Sequence, residues 1–297
     1  MAVKELKVDL KPLIGQLHLS SSNDVTGALT GSYLTVYKGR GLEFGGYRQY
    51  TAADDASSID WKASMRSEHI LVRELVEERN LNVFFLFDVS NSMLFASTDK
   101  MKCEYAIELI ATMAFAIIRA GDSVGISQFN DDVLNNINPN VGSAQYYKIV
   151  HELTNTQNYG GGFNLTKALR KTTLILRKQR AMIILVSDFL GLTDTAWEDY
   201  VKSISTRFDL LPIMIKDPVD MTLPEHKGEL IIEDPYSREQ IMVNPTSMKE
   251  EYEKNARQQE NKIIQTFKKY NVEVLKLKTD KPFMRDLIGH IQRRRNK

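Results

Sequence analysis

Two apolar runs in this chain end at an aspartate, and they constrain the fold more than any other feature of the sequence. The first is "NVFFLFDVSNSM", in which Val83 to Phe87 carries no polar residue and stops at Asp88. The second is "AMIILVSDF", which stops at Asp188. Short unbroken apolar runs belong to strands buried on both faces, as in parallel sheets covered by helices. Helical and strand patterns alternate from Asn82 onward, which predicts an α/β chain with a doubly wound, mostly parallel sheet of Rossmann-like form. Ligands in such sheets sit outside the carboxyl ends of strands, near where the strand order reverses. Asp88 and Asp188 are therefore candidates for one site.

The remaining elements follow from periodicity and punctuation. A helix is expected from an N-cap at Asp99 to Ala120, stopped by Gly121, with Ile107, Ile110, Ala111, Ala114, Ile117 and Ile118 on one face. "SVGISQF" reads as a strand, Ala144 to Leu153 as a helix, Tyr159 to Gly162 as a tight turn, and Leu165 to Lys178 as a helix. A helix near Thr195 to Thr206 and the strand "FDLLPIMI" come next. "KGELIIEDPYSREQIMV" predicts a hairpin insertion near 228–243 with its turn around Asp234 to Ser237. A long polar helix from Ser247 to Tyr270 has a narrow apolar stripe through Tyr252, Ala256, Ile263 and Phe267. The strand "VEVLKLK" and a short helix from Pro282 close the chain. Residues 1–79 lack this alternation, so two parts are expected: an irregular, partly β N-terminal segment over 1–79, with a hairpin across Ser32 to Tyr50, and a sheet domain over 80–297.

Composition narrows the function. The 39 basic and 38 acidic residues nearly cancel, so the overall charge gives no reason to expect nucleic acid or an anionic membrane as partner. The basic "QRRRNK" at Gln292 to Lys297 reads as a frayed, charged tail. Cys103 is the single cysteine, so no internal disulfide forms, and with no signal peptide or membrane-spanning run a cytoplasmic location is expected. Docking to a membrane-bound partner remains compatible with this. The histidines show neither His-Glu-x-x-His nor paired zinc spacing. Gly160 to Gly162 lack a following Gly-Lys-Ser/Thr and are read as a turn rather than a phosphate loop. Asp55 and Ser58 are read first as caps of the turn before "IDWKASM", with an acidic partner-facing patch of Asp54, Asp55 and Asp60 as the alternative. Trp61 is read as a core or inter-domain anchor.

The two strand ends bring together carboxylates and the hydroxyls of Ser90 and Ser92, which are hard oxygen donors suited to Mg²⁺ or Mn²⁺. At these residues the chain resembles the von Willebrand factor type A fold. "DVSNS" looks like that family's metal-ion-dependent adhesion site, which implies Asp88, Ser90 and Ser92 as first-loop ligands and Asp188 in "LVSDF" as the later carboxylate. The family's turn usually supplies a threonine, but "GGFNLT" puts Phe163 in that place and Thr166 three residues on. The resemblance leaves three outcomes: Thr166 substitutes, a water substitutes, or the site is degenerate and binds metal weakly. In the family a partner's carboxylate completes the metal shell.

The preceding "RQYTAADDASSIDWKASMRSEHILVRELVEER", together with "RAGDSVGISQFND", is similar to the bacterial "domain of unknown function" family fifty-eight over roughly Gly39 to Gly191. Members of that family are typically encoded beside MoxR-type AAA+ ATPases. The resemblance therefore implies a non-enzymatic adaptor for such an ATPase, working in the assembly or maturation of protein complexes, or on a client that presents a carboxylate. Two alternatives stand beside it. A metal-free interaction scaffold is one, kept open by Phe163. A Mg²⁺-dependent phosphatase-like hydrolase is the other, ranked last because Ser90 stands where a second carboxylate would act as general acid.

Overall fold

The computed structural model describes residues 5–10, 29–31, 33, 43–51, 54–76, 81–177, 180–226 and 228–295. Its centre is a six-stranded sheet built from β3 (Asn82–Asp88), β4 (Ser123–Phe129), β5 (Val133–Asn140), β6 (Ala181–Ser187), β7 (Asp209–Lys216) and β10 (Leu275–Lys278). The spatial order is β10-β7-β6-β3-β4-β5, parallel throughout except where β5 runs antiparallel to β4. The mixed α/β architecture expected from the sequence is therefore the one observed.

β3 is the pivot of this order. The chain leaves it for β4 on one side and returns to β6 on the other, so the strand order reverses at β3. Alternate side chains of β3 point to opposite faces, as the period of a strand requires. Val83, Phe85 and Phe87 join a core with α1 (Lys102–Arg119) and α2 (Ser143–Leu153). Phe84 and Leu86 join a second core with α3 (Leu165–Ile175), α4 (Ala196–Arg207) and the end of α5 (Pro245–Lys269). All five are fully buried, and each such side chain contributes roughly 1.5–3 kcal/mol of apolar burial. The apolar stripe of α5 lies on the sheet through Ile263 and Phe267. The last described element is α6 (Met284–Arg295), whose Leu287 and Ile291 pack into the first core. Among the described residues no helix is long and apolar enough to cross a membrane.

Several local expectations are corrected. α1 begins after Met101 rather than Asp99, because the Glu104 carboxylate accepts the Met101 backbone N–H at 2.8 Å and closes the first turn. Gly121 ends the helix at φ +90°, a backbone angle that favours glycine. β5 escaped the sequence reading since "VLNNINPN" has no apolar run; it is an edge strand with alternating half-buried and exposed residues. Gln292 to Arg295 is not a frayed tail but the last turn of α6, where Arg294 forms an ion pair with Asp209 and donates to the Leu210 carbonyl at 3.3 Å. Asn296 and Lys297 lie outside the described residues.

A separate two-stranded antiparallel sheet pairs β1 (Glu43–Gln49) with β2 (Leu71–Val76). The hairpin expected across Ser32 to Tyr50 falls largely outside the described residues, and the strand at its end pairs forward in sequence with β2. Asp54 binds Arg48, Asp55 caps Ser57, and Asp60 caps Lys62 and Ala63 while pairing with Arg73, so all three acids serve local structure. Trp61 is no buried anchor: it is 63% exposed, on the outer side of the short helical turn that Asp60 caps.

Gly125 sets the approach of β5 to β4. A Cβ there would stand 2.6 Å from the Ile137 carbonyl oxygen and 2.8 Å from Pro139 Cδ, at the point where the strand register slips. Gly125→Ala is expected to lower stability by about 1–3 kcal/mol in urea unfolding, because backbone rather than a flexible side chain must move. An unchanged midpoint would contradict this packing.

Candidate metal and partner site at the ends of the central strands

Asp88 ends β3 and Asp188 directly follows β6, on adjacent strands, so parallel pairing brings the two aspartates together at one edge of the sheet. Both are fully buried. The Asp88 carboxylate accepts the Ser90 backbone N–H at 2.9 Å on one oxygen and the Ser187 hydroxyl at 2.6 Å on the other. Ser92 donates its hydroxyl to Asp188 Oδ1 at 3.0 Å, and the Ser90 and Ser92 hydroxyls lie 3.2 Å apart. Asp88, Ser90, Ser92 and Asp188 thus converge.

The two carboxylates have different electrostatic surroundings. Lys102, 1% exposed at the start of α1, places its ammonium 2.7 Å from Asp188 Oδ2 and 3.1 Å from Asp220 Oδ2. Lys216, at the end of β7, donates to the Asp188 backbone carbonyl at 2.7 Å. Burial opposes the charge on Asp188, but Lys102 and then Lys216 outweigh it and hold the carboxyl below its ordinary range. Burial likewise opposes the Lys102 charge, yet Asp188 and Asp220 raise its affinity for the proton, while Lys216 is shifted down by burial. Asp88 has no basic partner among the described residues. Burial, reinforced by the charge of Asp188, pushes its carboxyl up to about 7.

The first loop is braced from the glycine turn. Gly160 donates to the Val89 carbonyl at 2.7 Å, Asn91 donates through its backbone to Gly161 at 3.0 Å, and the Asn91 side chain accepts from Gly161 at 3.1 Å. Gly161 has φ +92°, and a Cβ there would meet Asn130 Nδ2 at 2.7 Å, so this turn needs glycine. Phe163 packs on Phe129 with ring centroids 5.8 Å apart and lies half-buried against the second core. Thr166 is not brought to the cluster; its hydroxyl is bonded to Asp194 at 3.2 Å on the first turn of α3.

Four side chains of this site were not singled out by sequence. Lys102 had a weak signal, as a charge at the head of a helix whose later turns are mostly apolar. Lys216 ends a buried strand, and the logic applied to Asp88 applies to it equally. Ser187 adjoins Asp188. Tyr236, on the turn between β8 (Leu230–Glu233) and β9 (Gln240–Val243), had none, yet its hydroxyl lies 2.9 Å from the Ser92 hydroxyl oxygen and 3.2 Å from that of Ser90.

The chain belongs to the family described as protein of unknown function DUF58, which it matches over residues 46–262. An uncharacterized protein of Mycobacterium tuberculosis is 24% identical over 286 residues, covering 94% of this chain and 88% of that protein. Among solved structures, the conserved hypothetical protein BatB from Bacteroides thetaiotaomicron is similar at 14% identity and a TM-score of 0.44, covering 73% of this chain and all of that one. The SpRpn10 VWA domain is similar at 12% identity and a TM-score of 0.44, covering 71% of this chain and 95% of the domain.

Removing one partner of a buried ion pair leaves the other charge uncompensated. Lys102→Met is expected to cost about 3–5 kcal/mol in urea unfolding. Lys100→Met, which breaks the more exposed pair with Glu108 on the same helix, is expected to cost at most about 1 kcal/mol. Equal effects would refute the structural role of the Lys102 ammonium.

Proposed function

We propose that this chain is a non-enzymatic protein-interaction module in which Asp88, Ser90, Ser92 and Asp188 hold a divalent cation, Mg²⁺ or Mn²⁺, that takes a carboxylate of the partner. The observation that carries this reading is the Asp88 carboxyl: fully buried, beside a second carboxylate, and without a cationic side chain of its own among the described residues. A buried carboxylate without a counter-charge is costly, and a cation beside it removes the cost. The donor set suits a hard cation that keeps several waters, since it consists of two carboxylates and two hydroxyls. Among the described residues no group of three or more His, Cys, Asp or Glu side chains is placed to hold a metal ion, so this reading depends on the two serine hydroxyls as donors. When bound, the cation would supply a Lewis-acid position for an anionic ligand.

The partner we propose is a MoxR-type AAA+ ATPase, or a client that presents an Asp or Glu to the site. Membership of the family supports an interaction role without naming the partner. A metal-free scaffold is the second reading, favoured by one observation: the Lys102 ammonium already neutralises Asp188, which weakens the demand for a second cation there.

The test is binding of the purified chain to a MoxR-type ATPase encoded in the same genome, followed by biolayer interferometry in Mg²⁺ and in EDTA. Asp88→Ala is expected to weaken binding on the order of a hundredfold while retaining the circular-dichroism spectrum, and EDTA is expected to mimic it. Binding untouched by both changes would favour the scaffold. Phosphatase turnover that disappears in Asp88→Ala would instead overturn the non-enzymatic reading.

A further inference from the structure

The hairpin of β8 and β9 is fastened to the molecule at its tip, and the tip rests on the site just described. The Tyr236 hydroxyl oxygen lies 2.9 Å from that of Ser92, 3.2 Å from that of Ser90 and 3.0 Å from the Leu190 carbonyl oxygen, and its one proton serves one of these acceptors at a time. Asn91 donates its side-chain amide to the Pro235 carbonyl at 3.1 Å. The Tyr236 ring lies against Gly191, where a Cβ would meet ring carbon Cε2 at 2.7 Å and where φ is +88°. That close approach requires glycine. Behind the tip the hairpin is loosely held. A cavity of roughly 430 Å³ separates Glu233 and Ile241 from Phe95, Lys102 and Tyr252 on the body of the domain. Ile231, Ile241 and Met242 are 64%, 58% and 64% exposed, and each strand has only four residues. A two-stranded ribbon of this length is marginal on its own, so its position depends on the tip contacts.

We propose that the hairpin is an intramolecular latch: the Tyr236 hydroxyl occupies the place that a partner's side chain takes, and partner binding requires the tip to leave. This rests on the reading that Asp88, Ser90, Ser92 and Asp188 form the partner site. The chemistry makes the latch responsive to what the site holds. A phenol is neutral at neutral pH, so Tyr236 bonds the serines without adding negative charge. A phenol is thus tolerated beside two carboxylates and a free anion is repelled. Once a divalent cation is present the preference reverses, and an incoming carboxylate displaces the neutral hydroxyl. Metal loading and hairpin release are then coupled through one seat.

The experiment is hydrogen–deuterium exchange by mass spectrometry on the full chain, reading residues 230–243 and the loop 89–94. In metal-stripped protein, Tyr236→Ala is expected to speed exchange in both segments by about tenfold or more while β3 and β6 stay protected, and Tyr236→Phe, which keeps the ring on Gly191, is expected to give a smaller change in the same direction. Addition of millimolar Mg²⁺ with sodium acetate is expected to open the hairpin in wild type but not in Asp88→Ala. Exchange unchanged in both Tyr236 variants overturns the latch. If Tyr236→Ala opens the hairpin while Mg²⁺ and acetate leave wild type unaltered, the latch stands and the metal reading fails.

Discussion

Two carboxylates buried on neighbouring strands, only one of them neutralised from within, set the terms for everything around this sheet edge. Asp188 is met by the Lys102 ammonium at 2.7 Å, and that lysine is shared with Asp220. Asp88 is met by a hydroxyl and a backbone amide, which orient a charge without cancelling it. Desolvation in such a place disfavours the ionised form, and the rise of the Asp88 carboxyl toward about 7 expresses that imbalance. A cation supplied from outside would remove it. A neutral phenol placed over the serines is what the molecule offers in the absence of one.

The fold exists to hold that imbalance in place. Strands β3, β4 and β6 are buried along essentially their whole length, so the position of Asp88 is fixed by two layers of core rather than by a loop. α1 serves two ends at once: its apolar surface fills one layer, and its first turn carries Lys102 into the site. The glycine turn braces the first loop through backbone bonds to Val89 and Asn91. Phe163, beside that turn, packs against the second core, and Thr166 serves Asp194. The donors on hand are therefore two carboxylates and two hydroxyls, with the hairpin above them.

Much of this was legible because it depends on short-range patterns. The unbroken runs before Asp88 and Asp188 announced buried parallel strands, and the reversal of strand order at β3 placed their ends side by side. β5 was illegible because an antiparallel edge strand facing water needs no apolar run, and "VLNNINPN" has none. Trp61 misled because a large aromatic is usually buried, whereas its neighbour Asp60 took the inward position and left the indole outside. Lys102 and Tyr236 were harder still. Lys102 meets Asp188 from 86 positions away and Tyr236 meets Ser92 from 144, and such contacts leave no spacing to read.

The most direct measurement is isothermal titration of Mn²⁺ into metal-stripped protein, comparing wild type with Asp88→Asn, which keeps the shape of the side chain and removes its charge. One site per chain in wild type, lost in Asp88→Asn, is the expected result. Wild type and variant titrating alike, with heat absent or equal at millimolar Mn²⁺, would contradict the assignment of a cation to Asp88 and leave the Lys102 and Lys216 ammonium groups as the cations the site employs among the described residues.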